Sequence, residues 1–225
     1  MTVLHLADET EAADLAAFLS RLLHYDRGAA VRLQAAGTAL AVFGRPPSFE
    51  VLAVRAVRLA KPYENGLDVT LDVTVSAGEF LEGVDERAAT AAVPAAVTGP
   101  PWAGVLPPRG GWQAEPGLPA PDALRATVAA AVAEFRSRTQ ELAPDGRTRA
   151  ELDRIGRDIW SREIARTGLP VRAVHAAQSL GFLRPGVGPA DTGLFSSGAW
   201  LRLRTPYGSV VVRRAGLGPL GVTIR

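Results

Sequence analysis

Few residues of this chain have side chains able to do covalent or metal chemistry, and they are scattered. His5, His24 and His175 lie far apart and form no His-Glu-x-x-His pattern, so a histidine metal site is not expected. Cysteine is absent, which excludes disulfides and thiolate ligands. Lys61 is the sole lysine and precedes Pro62, so the chain has no Gly-Lys-Ser/Thr phosphate loop and only one candidate Schiff-base lysine. Ser196-Ser197 lacks the Gly-x-Ser-x-Gly elbow and reads as a polar loop. Gly216-Leu217-Gly218-Pro219-Leu220-Gly221 has dinucleotide-type glycine spacing but no following helix to hold a pyrophosphate, and reads as a tail turn. Asp68, Thr70, Asp72 and Thr74 project from one strand face. Paired carboxylates there could bind a metal or serve as acid and base, and the bland alternative is a solvated sheet face. The expectation is a non-catalytic protein with no metal and no cofactor.

Charge is more informative. Residues 1–121 hold 9 basic and 14 acidic side chains, and residues 122–225 hold 16 and 9, so the net +2 conceals halves of opposite sign. All basic residues but Lys61 are arginine, whose fixed fork of donors suits carboxylates and phosphates. A basic surface attracts anionic partners. Candidate contact residues are Trp102 and Trp112 in the proline-rich middle and Arg202, Arg204 and Arg213 near the end. Aromatics there could also stack on bases, although core anchoring is the simpler role for the two tryptophans.

The elements that must position these side chains follow from periodicity. Leu15, Phe18, Leu19, Leu22 and Leu23 mark an amphipathic helix over 10–23, capped by Asp8 or Thr10. A strand meander follows, with a hairpin expected at Gly37 between 29–35 and 38–43. A second hairpin is expected between 51–59 and 69–75, with a three-residue Glu64-Asn65-Gly66 loop that sets Leu59 against Leu71, Val57 against Val73 and Arg58 against Asp72. Ser76-Ala77-Gly78-Glu79 and Thr148-Arg149-Ala150-Glu151 have capping-box spacing. Residues 94–121 carry eight prolines, too many for a helix or central strand, and their aromatics suit a segment packed on a surface. Asp122 is expected to cap a helix over 123–142. Further helices follow Thr148 and Pro170, and a hairpin over 200–213 pairs Leu203 with Val210 and Leu201 with Val212. The fold class is therefore α+β, in three stretches: 1–93, an N-terminal helix with a mainly antiparallel β-meander; 94–121, a packed Pro-rich connection; and 122–225, a C-terminal helical part ending in a β-hairpin. An exposed meander edge is a possible site of homodimer pairing.

Residues 164–183 resemble the turn region of helix-turn-helix DNA binders, and the arginine-bearing hairpin resembles the wing of a winged-helix variant. That resemblance implies a reading helix offering Arg172, His175 and Gln178 to a major groove, with Arg202, Arg204 and Arg213 on phosphates. The alanines of the same helix point instead to close packing in a bundle.

Val3-Leu4-His5-Leu6 with its Glu/Ala-rich helix, the turn over 63–67 and the ending Trp200-Leu-Arg-Leu-Arg-Thr-Pro-Tyr-Gly-Ser-Val resemble small actinobacterial proteins of the ParJ type, regulators of the ParA chromosome-partition ATPase. The resemblance implies a regulatory protein that docks on a ParA-type ATPase and alters its assembly. No partner-binding residue carries over from it. Met1 to Asp14 shows early acids and no basic leader, and no run of about eighteen apolar residues occurs, so a cytosolic, non-membrane protein is expected.

Overall fold

The computed structural model describes residues 2–63 and 71–214. Strand β1 (Val3–His5) leads into α1 (Glu9–Tyr25), whose first turn is closed by the Asp8 carboxylate accepting the Glu11 amide at 2.9 Å. Ala12, Leu15, Phe18, Leu19 and Leu22 form its fully buried stripe.

β2 (Ala30–Gly44) is one long strand where a hairpin was expected. Gly37, at φ 55°, sits in the left-handed region and opens a register shift between Gly37 and Ala39. That bulge moves the alternation by one residue. Val31, Leu33 and Ala35 face the core before it, Leu40 and Val42 after it, and the strand stays apolar on one side throughout. Its first half pairs with β4 and its second half with β3 (Leu52–Tyr63). The expected pairing of Arg58 with Asp72 is therefore incorrect. In β4 (Leu71–Ser76), Asp72 stands opposite Gln34 of β2, and Arg58 stands opposite Ala39. Period-two alternation fixes which face a strand buries but not which strand it meets. The Glu64-Asn65-Gly66 loop lies outside the described residues, as do Asp68 and Thr70.

Ser76 caps α2 (Ala77–Glu82), and β5 (Val84–Asp85) and β6 (Thr90–Ala92) join β1 in a small antiparallel sheet. The proline-rich segment then runs from one edge of the large sheet to the other. At the β4 edge Ala96 bridges Val75, and the Val97 amide donates to the Thr74 carbonyl. At the far edge the chain enters β7 (Gln113–Glu115). The β4 edge is thus partly covered by the chain's own connection.

α3 (Pro121–Gln140) starts with Pro121 in its first turn and Ala120 at the cap position. Asp122 lies one residue inside, paired with Arg125, and is not the cap. Thr148 caps α4 (Arg149–Trp160), and α5 (Val171–Ser179) follows a turn closed by Pro170. β8 (Gly193–Ser197), β9 (Trp200–Thr205) and β10 (Gly208–Arg213) complete the seven-stranded antiparallel sheet in the order β4-β2-β3-β10-β9-β8-β7. Leu203 pairs with Val210 and Leu201 with Val212, as the spacing implies, but Thr205 also pairs with Gly208 and leaves a two-residue turn, Pro206-Tyr207. The protein is α+β, and β10 docks on β3, so strands from both sides of the proline-rich segment share one sheet.

One apolar cluster runs through the helical side of the sheet, including α1, α3, α4 and α5. Within it lies a buried ionic network. The Arg55 side chain, only 5 % exposed, donates to Glu11 at 2.7 Å and to the Tyr207 carbonyl at 2.9 Å, and lies 3.5 Å from Asp14. Asp14 also accepts from Arg184 at 2.7 Å, and the Arg184 guanidinium lies 3.8 Å from the centre of the Tyr207 ring. Arg58 closes the network from outside through Glu11 and Asp8. Nearby, Phe182 stacks on Phe18 at 5.5 Å and presses on Gly208, where a Cβ would stand 2.5 Å from the ring.

α5 is packed on every side but one. Ala173, Val174, Ala176 and Ala177 are buried, and small side chains let the helix lie close to β10 and α3. His175 is held between Phe49, ring centres 5.1 Å apart, and Trp160, stacked at 4.8 Å. Tyr25 and Phe135 extend this string of rings to α1 and α3.

Two predictions follow from this packing. Arg55→Ala leaves part of the Glu11–Asp14 charge and a buried carbonyl unpaired, and is expected to lower unfolding free energy in urea by about 3 kcal/mol. Burial between rings disfavours the imidazolium of His175 and lowers its pKa below the usual 6.5. Protonation therefore favours the unfolded chain: the contribution of neutral His175 is complete above the unfolded value and lost as pH falls through the lower folded one. Melting temperature should fall as pH drops from about 7 to below the unfolded value near 6.5, and His175→Phe should flatten the profile there.

Candidate functional site

The face of the large sheet away from the helices holds most of the residues singled out from the sequence. Alternation along the C-terminal hairpin puts Trp200, Arg202 and Arg204 of β9 on this face, beside Ser209, Val211 and Arg213 of β10. Phe43, Leu52 and Val54 continue it as an apolar floor, and Trp102, Leu106 and Trp112 of the proline-rich segment pack down on that floor. The two tryptophans are thus anchors of the connection. Each keeps part of its ring in solvent, and the Trp112 indole donates to the Pro108 carbonyl at 3.0 Å.

The anchored segment divides the face into two concavities. One, of about 470 Å³, is lined by Trp102, Trp200 and Leu52 and ringed by Arg45, Arg172 and Arg213, with Glu50 its acidic member. The other, of about 250 Å³, lies between Trp112, Pro107 and Pro108 on one side and a run of small residues, Ala36, Ala39, Ala41 and Ala56, on the other, with Arg109 and Arg202 at its rim.

The structure therefore gathers Trp102, Arg172 and Arg213 in one hollow and Trp112 and Arg202 in the next. Sequence reading had assigned Arg172 to a different hypothesis and had missed Arg45, Arg109 and Trp200 altogether. Arg204 sits outside both, its guanidinium 4.7 Å from the Phe195 ring centre, and Arg213 lies similarly 4.8 Å from Trp200. Among the described residues Arg202, Arg204 and Arg213 form no ion pair, whereas Arg32, Arg55, Arg58, Arg138, Arg162, Arg184 and Arg214 each hold a carboxylate. Arg202 is held instead by Ser209, to which its Nε donates at 3.0 Å, and lies 5.7 Å from Trp112. Burial, then the like charge of Arg204, lowers its pKa.

The residues of the helix-turn-helix reading are dispersed by their packing. His175 is enclosed by rings, Arg172 approaches Glu50 at 3.7 Å with its buried Nε lacking a hydrogen bond, and Gln178 is the exposed member of the three. Asp72 is likewise engaged. Burial acts to raise its pKa, but hydrogen bonds from Arg32 and Gln34 outweigh it and hold the carboxyl below its ordinary value. Among the described residues no three His, Asp or Glu side chains gather in a way that could hold a metal ion, and no helix is long and apolar enough to cross a membrane.

Two family models match the chain. Residues 1–104 match DUF8010 and residues 107–217 match DUF8185, each described as a domain of unknown function. No curated protein matches the sequence. The junction of the two matches falls inside the proline-rich segment, between the anchors Trp102 and Trp112.

Proposed function

We propose that the chain is a non-catalytic, cytosolic interaction protein that meets an acidic protein surface with the arginine–tryptophan face of its large sheet. The observation that carries this reading is the set of strand-borne hairpin arginines without carboxylate partners among the described residues, set beside the partly exposed Trp200 of the same hairpin and Trp102 and Trp112 of the segment packed on it. Tryptophan and arginine are the side chains most enriched where interface energy concentrates, because each offers a large contact area and directional bonding. The hairpin strands hold Trp200 and the arginines in fixed positions, and packing on the sheet holds Trp102 and Trp112, so little ordering entropy is lost on docking. The resemblance of the sequence to regulators of the ParA partition ATPase makes an ATPase of that type the first partner to try.

The test is direct binding of the purified protein to a ParA-type ATPase, with assembly of the ATPase followed by light scattering. Wild type should bind with an affinity that falls as salt rises. Arg213→Ala should weaken binding by about tenfold or more while leaving the melting temperature within a few degrees, and Trp102→Ala should weaken it as much but, because that ring anchors the connection, also lower the melting temperature. Absence of binding at low salt would remove the ATPase as partner. Unchanged binding by both variants would remove this face.

A further inference from the structure

The smaller hollow has a composition unlike a protein-docking surface. Its lining joins a run of alanines to Phe43, Val54, Leu71 and Val211, with an indole and two prolines beside them, and its cations are Arg109 and Arg202. Small side chains on a sheet face normally give way to larger ones where nothing else fills the space, since apolar contact is lost along an open groove. Here Ala39, Ala41 and Ala56 leave room in a hollow that Trp112 also lines. Arg202 lines the same hollow. Its Nε is fixed by Ser209 and the residue is half-buried, so its position is set before anything binds. Its terminal nitrogens have no carboxylate among the described residues, and Arg204 adds like charge nearby. A partly desolvated guanidinium beside an apolar groove is stabilised when an anion replaces the lost water.

We propose that this hollow binds a small amphipathic anion, with its apolar body along Ala39, Ala41 and Ala56 beside Trp112 and its carboxylate on Arg202, with Arg109 adding charge at the mouth. The volume, about 250 Å³, lies just below the range of drug-sized pockets and fits a short acyl or aryl carboxylate better than a lipid or a cofactor.

This inference does not depend on the protein-partner reading, since binding is measured on the purified chain alone. Calorimetric titration with octanoate, kept below its micelle concentration, is compared with 1-octanol, with octylamine and with inorganic phosphate. Octanoate should bind at least about tenfold more tightly than octanol, and octylamine and phosphate should bind more weakly still. Arg202→Gln should erase the preference for octanoate over octanol. Ala56→Leu, which fills an exposed position on the groove floor, should abolish binding of both while the protein stays folded by thermal melting. Equal affinity for octanoate and octanol, or octanoate binding that survives both substitutions, would overturn the assignment. Tight binding of phosphate alone would also overturn it, by showing that the arginines act without the groove.

Discussion

A buried guanidinium sets the geometry of this molecule. Arg55 stands in the middle of the sheet with Glu11 and Asp14 on one side and the backbone of the C-terminal turn on the other. An ion removed from water is tolerated only where its partners are placed to satisfy it, so the network fixes relative positions more strictly than apolar packing does. α1 cannot rotate without withdrawing Glu11, and the turn at Tyr207 cannot shift without losing both its carbonyl contact and the stacked Arg184. Those constraints hold the hairpin in register against β3, and the hairpin in turn aims Arg202, Arg204 and Arg213 to the opposite face.

The two family matches divide the chain near its middle, yet the physical unit does not divide there. β10, from the second match, pairs with β3, from the first, and the Arg55 network crosses the same line. The charge asymmetry between the halves is partly consumed by this contact: Arg184 is satisfied by Asp14 across the join. Among the described residues the hairpin arginines share their lack of a carboxylate with Arg136, Arg147, Arg157 and Arg166, and differ from these in standing together on one sheet face beside tryptophans.

Much of this fold was legible in residue order. Asp8, Ser76 and Thr148 announced helix starts because side-chain capping is local chemistry. The hairpin register of 200–213 was also readable, since apolar alternation on two nearby strands admits few pairings. Strand partners further apart were not. Gly37 looked like a turn, and only the tertiary structure shows that it serves as a bulge letting one strand change phase and keep two neighbours. The site was half legible for the same reason. Composition singled out Trp102, Trp112 and the hairpin arginines, but Arg45, Arg109 and Trp200 join them through folding rather than spacing. His175 shows the converse, a residue of chemical promise whose surroundings make it a packing element.

The interior place of β10 has a bearing on how the chain is made. Its hydrogen-bonding partner β3 lies far upstream, as the separation of 152 residues between Arg55 and Tyr207 records. On the ribosome, β3 therefore emerges with β2 as its neighbour and the Leu52–Val54 stretch of its other edge bare until the hairpin itself has been made. A nascent chain whose closing strand comes so far after its partner keeps a sticky border exposed while all the residues between are made, the condition in which chaperones find their clients.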